Sequence, residues 1–232
     1  MALGKPLSGP RLPPARGQAT HLVVLCHGYG ADGNDLIGLA PHWQRLMPTT
    51  AFIAPNAPEP CAGSPSGYQW FPISRLDPSE MQRGVESAAG LLNAFLDAEL
   101  ARLELTSDRL ALVGFSQGTM MSLHVGLSRA QKPAAIVGFS GLLAGGEALG
   151  ALGPDTPPIL LIHGAADPMI PADAMLASAL TLGAAGAAVQ WHISPGLGHS
   201  IDESGLDMGG AFLLSAFHGQ LRRRAPEIAS RL

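Results

Sequence analysis

Leu110-Ala111-Leu112-Val113-Gly114-Phe115-Ser116-Gln117-Gly118 is the stretch that decides how this chain is read. Its first four residues are apolar and uncharged, as in a strand buried on both faces, and the small-residue run Thr119–Ser128 beyond it reads as a helix. Between the two stands the pattern Gly-x-Ser-x-Gly. In a strand–turn–helix setting this pattern forms a sharp elbow that presents the serine hydroxyl. Side chains two residues before and after the serine would collide there, which accounts for Gly114 and Gly118. The following helix aims its N-terminal N–H groups at a place where negative charge can develop. Ser116 is the candidate nucleophile.

Outward from this elbow, short apolar runs alternate with longer helical patterns. Strands are expected at Leu22–Cys26, Ala51–Ala54, Arg109–Val113, Ala134–Phe139, Ile159–His163 and Val189–Ile193. Helices are expected at Leu36–Met47, Glu80–Leu105, Thr119–Ser128, Ala172–Gly183 and Asp202–Arg224. Asn34-Asp35 offers an N-cap for the first helix, which Pro41 interrupts; Gly205, Gly209 and Gly210 weaken the first half of the last. The alternation predicts an α/β fold: a mostly parallel central sheet with helices on both faces. A Pro-rich loop, Pro55–Pro72, and a Gly-rich loop, Ser140–Pro157, join elements, and neither is long enough for a large cap domain. With no repeat, linker or second core, residues 1–232 read as one domain that includes a Pro/Gly-rich N-terminal segment, 1–18.

Bulk properties narrow the function. Hydrophobic residues make up 47% of the 232 and charged residues 14%, a balance that suits a compact core and argues against disorder. The net charge of −4 gives no footprint for nucleic acid. Arg222-Arg223-Arg224 fits the dipole at the end of the last helix. Two cysteines, Cys26 and Cys61, are too few for a disulfide framework. No run of about 20 apolar residues spans a bilayer, and Met1–Arg16 lacks the apolar core of a signal peptide. A soluble cytoplasmic protein without stable membrane insertion is expected.

A serine hydroxyl needs a base, and the base needs an orienting acid. In a fold of this kind Asp or Glu and then His follow the serine. Of the downstream histidines, His124 and His218 lie on helical patterns and His163 and His192 on strand patterns. His199 lies in the loop after the last strand, at the carboxyl edge of the sheet where open α/β folds build their sites. Among the acids Glu147, Asp155, Asp167 and Asp173, Asp167 follows the strand Ile159–His163 to the same edge. Asp155 precedes that strand, and Asp173 reads as a helix-start residue. One oxyanion donor is then the backbone N–H of Gln117. The other comes from the loop His27-Gly28-Tyr29-Gly30 after the first strand, through the N–H of Tyr29.

These segments resemble the carboxylesterase/phospholipase family of α/β-hydrolases, which includes acyl-protein thioesterases and bacterial esterases. The matching stretches are His27-Gly28-Tyr29-Gly30-Ala31-Asp32-Gly33, Trp70-Phe71, Gly114–Gly118, His163–Pro171 and Gly198-His199. The resemblance implies the triad Ser116, Asp167 and His199, with Tyr29 and Gln117 as the oxyanion hole. It implies hydrolysis of carboxylic esters, and in some relatives of thioesters or lysophospholipids, with homodimers frequent. The run Ser66-Gly67-Tyr68-Gln69-Trp70-Phe71-Pro72 is more similar to the bacterial esterases, with Pro72 where thioesterases tend to have an acidic residue. Small esters are therefore favoured over protein deacylation. Trp70 and Phe71 are expected to line a shallow acyl cleft. No metal and no cofactor are expected. A histidine base predicts activity that rises through about pH 6–8. Receptors on this fold usually lack a triad member, whereas all three types stand here in order.

Overall fold

The structure, a computed structural model, describes residues 6–74 and 77–221. Seven strands form one sheet in the order β1-β3-β2-β6-β7-β8-β9. They are β1 (Arg11–Leu12), β2 (His21–Cys26), β3 (Thr50–Ile53), β6 (Leu110–Phe115), β7 (Ala135–Phe139), β8 (Ile159–Gly164) and β9 (Val189–Ser194). All neighbours pair parallel except β1, which runs antiparallel along β3. A separate two-stranded hairpin pairs β4 (Glu59–Pro60) with β5 (Tyr68–Gln69). The helices are α1 (Gly33–Ile37), α2 (Ala40–Gln44), α3 (Pro78–Leu103), α4 (Gln117–Ser128), α5 (Ala172–Ala184) and α6 (Glu203–Phe217).

Strand alternation divides the core in two. Leu22, Val24 and Cys26 of β2 pack with Val85, Leu92 and Leu96 of α3 and with Met120, Met121 and Val125 of α4. Val23 and Leu25 point the other way, to Leu36 of α1, Trp43 of α2 and Leu213 of α6. Both sets are fully buried or nearly so, and each such aliphatic side chain contributes roughly 1.5–3 kcal/mol. The chain moves from β2 to β3 on one side, whereas β6 pairs β2 on the other. The strand order therefore reverses at β2/β6, and a crevice opens there at the carboxyl ends of the strands.

Four details differ from the sequence-based expectation. Asp32, not Asn34-Asp35, caps α1: its carboxylate accepts from the Asn34 and Asp35 N–H groups while the Asp35 side chain accepts from the Asp32 N–H. Strand β1 falls in the Pro/Gly-rich segment, where Arg11 also reaches Glu99 of α3. The hairpin occupies the expected Pro55–Pro72 loop. Finally, α6 is continuous through its glycines, because Trp43 needs the space. A Cβ on Gly210 would stand 2.7 Å from Trp43 Cδ1, and the Trp43 indole N–H donates to the Leu206 carbonyl at 2.8 Å. Arg222-Arg223-Arg224 lies outside the described residues.

Candidate active site

Ser116 stands between β6 and α4 with φ 54° and ψ −117°, a conformation that L-residues rarely adopt and that costs on the order of 1–3 kcal/mol. Its surroundings hold it there. The Ser116 N–H donates to the Phe139 carbonyl at 2.9 Å, and its own carbonyl accepts from the Thr119 N–H at 2.9 Å. A Cβ on Gly118 would lie 1.8 Å from the Cys26 carbonyl oxygen, and one on Gly114 would lie 2.3 Å from that of Gly118. Both glycines are required by close approach of backbone.

The expected acid and base come from neighbouring strand ends. Asp167 follows β8, and His199 lies between β9 and α6. His199 Nδ1 is 2.7 Å from Asp167 Oδ2, so the Nδ1–H donates to the carboxylate and Nε2 keeps its lone pair for a proton. The two loops are tied together by the Ala166 N–H, which donates to the Leu197 carbonyl at 2.8 Å. The Ser140 hydroxyl donates to the Ser200 carbonyl at 3.1 Å, and the Phe115 and His199 rings lie 5.0 Å apart. His199 thereby rests against the residue that precedes Ser116. Among the described residues the Ser116 hydroxyl has no hydrogen-bond partner; such nucleophile–base contacts commonly tighten only around substrate.

Burial works against charge on Asp167, yet the Ile170 N–H, His199 and the Met169 N–H outweigh it and hold its carboxyl below the usual range. Oδ1 accepts from Met169 at 2.8 Å and Ile170 at 3.0 Å. His163, set aside at the sequence level as a strand residue, brings Nε2 to 3.1 Å from Oδ2. Its place at the end of β8, four residues before Asp167, was the available signal.

The loop after β2 flanks the serine, since a Cβ on Gly28 would lie 3.2 Å from Ser116 Cβ. Gly30 and Ala31 commit their N–H groups to the Tyr68 and Gly28 carbonyls. Among the described residues the Tyr29 N–H has no acceptor within the protein. Gln117 is the first residue of α4, where a backbone N–H has no intrahelical acceptor. The Gln117 side chain does something the sequence did not disclose. Its Oε1 accepts from the Trp70 N–H at 2.9 Å, and its Nε2 donates to the Phe71 carbonyl at 2.7 Å. Trp70 and Phe71, expected in the cleft wall, are each only 1% exposed. The Trp70 indole N–H donates to the His27 carbonyl at 2.9 Å. A hollow of about 590 Å³ between α5 and β9, lined by Leu176, Leu180 and Trp191 among others, includes none of Ser116, Asp167 and His199.

Among the described residues no cluster of His, Cys, Asp or Glu could hold a metal ion, and no helix is long and apolar enough to cross a membrane. A family model described as phospholipase/carboxylesterase matches residues 9–215. Acyl-protein thioesterase 1 of Gibberella zeae is 32% identical over 216 residues, covering 86% of this chain and 92% of its own. Esterase YpfH of Escherichia coli is 29% identical over 185 residues, covering 79% of this chain and 78% of its own. The crystal structure of esterase PE8 superposes with a TM-score of 0.84 at 43% identity, over 90% of this chain and 98% of that one. The expected α/β-hydrolase fold without a large cap is the fold observed.

Proposed function

Since this chain belongs to the phospholipase/carboxylesterase family, whose members hydrolyse ester bonds, we propose that it is a serine carboxylesterase acting on small to medium-chain carboxylic esters through an acyl-enzyme on Ser116. The observation that carries this reading is the 2.7 Å His199–Asp167 bond beside the strained Ser116 elbow. His199 Nε2 takes the hydroxyl proton as Ser116 Oγ attacks the carbonyl carbon. The Tyr29 and Gln117 N–H groups hold the resulting oxyanion, and Asp167 stabilises the imidazolium. His199 returns the proton to the departing alcohol. Water then repeats the sequence and releases the acid.

The size preference is supported by the absence of cover. The β7–β8 connection, 140–158, holds only a short helical turn at Gly146–Ala148, and the 55–72 connection folds back on the core through Trp70 and Phe71. A cleft bounded in this way favours butyrate over palmitate esters. Turnover of a nitrophenyl ester series by the wild-type protein and by Ser116→Ala tests this: palmitate preference removes the substrate proposal, and persistent turnover in Ser116→Ala removes the serine. A thioesterase or lysophospholipase reading draws on the fungal relatives named acyl-protein thioesterase. Faster turnover of acyl-thioester peptide or lysophosphatidylcholine than of a soluble ester would favour it. Residence in the cytoplasm and assembly as a homodimer complete the proposal, and fractionation and sedimentation check them.

A further inference from the structure

We propose that His27 is a positioning residue whose imidazole fixes the Gly28–Tyr29 peptide plane, so that the Tyr29 N–H faces the developing oxyanion. The inference rests on the acyl-transfer reading of the site and names a device within it.

The partners of the His27 ring fix its tautomer. The Ala57 backbone N–H lies 2.9 Å from His27 Nε2. A backbone amide only donates, so Nε2 carries a lone pair and the ring proton of the neutral imidazole sits on Nδ1. Nδ1 is 2.7 Å from the Gly28 carbonyl oxygen and donates to it. That carbonyl and the Tyr29 N–H belong to one trans peptide unit and point in opposite directions. Anchoring the oxygen at the imidazole therefore sets the direction of the N–H. A flipped plane would turn an electron-rich oxygen toward the oxyanion instead.

The surrounding contacts reinforce one orientation. The Ala31 N–H also donates to the Gly28 carbonyl, at 3.3 Å, and the preceding peptide is held by the Trp70 indole on the His27 carbonyl. The anchored plane adjoins the nucleophile, as the 3.2 Å approach of a Gly28 Cβ to Ser116 Cβ shows. Histidine suits this place because one small buried ring both accepts from Ala57 and donates to Gly28. Burial pushes its pKa below the ordinary 6.5, while the Gly28 bond and the Asp32 and Asp35 charges partly oppose this. The neutral ring is the form that makes both bonds; protonation of Nε2 would end the bond from Ala57.

Two measurements test the assignment. Nitrogen-15 NMR of histidine-labelled enzyme, with His27 identified by its loss in His27→Gln, is expected to show the Nδ1–H tautomer from about pH 6 to 8. The Nε2–H tautomer would overturn the proposal, and this readout does not depend on activity. The second measurement compares two variants. His27→Asn can place an amide near the position of Nδ1, whereas His27→Gln reaches only toward that of Nε2. Loss of a whole oxyanion donor costs about 10²–10³ in kcat, so loss of its anchor in His27→Gln is expected to cost about 10- to 100-fold. KM should stay within about twofold, and affinity for a trifluoromethyl ketone, whose hemiketal oxyanion uses the same donors, should fall by the same factor. His27→Asn should remain within about fivefold of wild type. Equal losses in the two variants, or unchanged ketone affinity in His27→Gln, would overturn it. Failure of the serine reading shows separately, as turnover that survives Ser116→Ala.

Discussion

His163 Nε2 lies 3.1 Å from Asp167 Oδ2, the same carboxylate oxygen that receives His199 Nδ1 at 2.7 Å. His163 Nε2 donates to the Ile170 carbonyl at 2.8 Å. Asp167 thus has four polar neighbours: two backbone amides that donate to one oxygen, and on the other side the His199 N–H that donates and the His163 ring that lies beside it. His163→Leu removes one of them. The Asp167 carboxylate should then be held less firmly against His199, so that the imidazolium is less well stabilised. kcat/KM at neutral pH should fall about tenfold, mostly in kcat, the size of a charged hydrogen bond of about 1.5 kcal/mol. Steady-state kinetics of His163→Leu at neutral pH check this; an unchanged kcat would show that His163 is only packing.

Gln117 joins two parts of the site through different atoms. Its backbone N–H is assigned to the oxyanion, while its side chain satisfies the Trp70 N–H and the Phe71 carbonyl. Gln117→Leu keeps the backbone donor but leaves two buried backbone groups unpaired, at a cost of about 2–4 kcal/mol. At this chain length the melting temperature should drop by roughly 5–12 °C. Below that temperature kcat should remain within several-fold of wild type. Thermal unfolding paired with kinetics decides the case, and an unchanged melting temperature would contradict it.

Acid should weaken the fold before it protonates most carboxylates. Burial, then the Arg109 and His218 charges, lower the His21 pKa from 6.5 to about 4, with Asp108 opposing. The unfolded chain takes up the proton near 6.5 and the folded chain resists until about 4. This contribution is therefore complete above pH 6.5 and is lost as pH falls from there to about 4. Because the ring is half-buried, the loss is about 1–2 kcal/mol rather than the full value of the shift. Denaturant titrations between pH 7.5 and 4.5 should show the decline in wild type and a flatter profile in His21→Gln. Equal slopes would remove His21 as its source.

The sheet was legible because five of its strands are mostly apolar runs and β9 alternates Val189, Trp191 and Ile193 with polar residues, and the elbow because Gly114 and Gly118 bracket one serine. Asp167 and His199 were legible from chain order and from their places after β8 and β9. Other features depend on pairings that local pattern does not encode. Strand β1 is two residues long and exists through its register with Ile53 and Phe52. The Gln117 side chain meets partners 46 and 47 positions away. The α6 glycines read as weakness until Trp43 is seen against them. His163 and His27 both look like residues at or just past a strand end, and only the ring nitrogens' partners reveal what they hold.

Acyl transfer through Ser116 is tested best by finding where a covalent inhibitor is captured. Intact enzyme treated with a fluorophosphonate and digested for mass spectrometry should carry one adduct, on Ser116, with esterase turnover lost in step. Ser116→Ala should neither label nor turn over. An adduct on another residue, or full turnover after Ser116 is modified, would rule Ser116 out as the nucleophile.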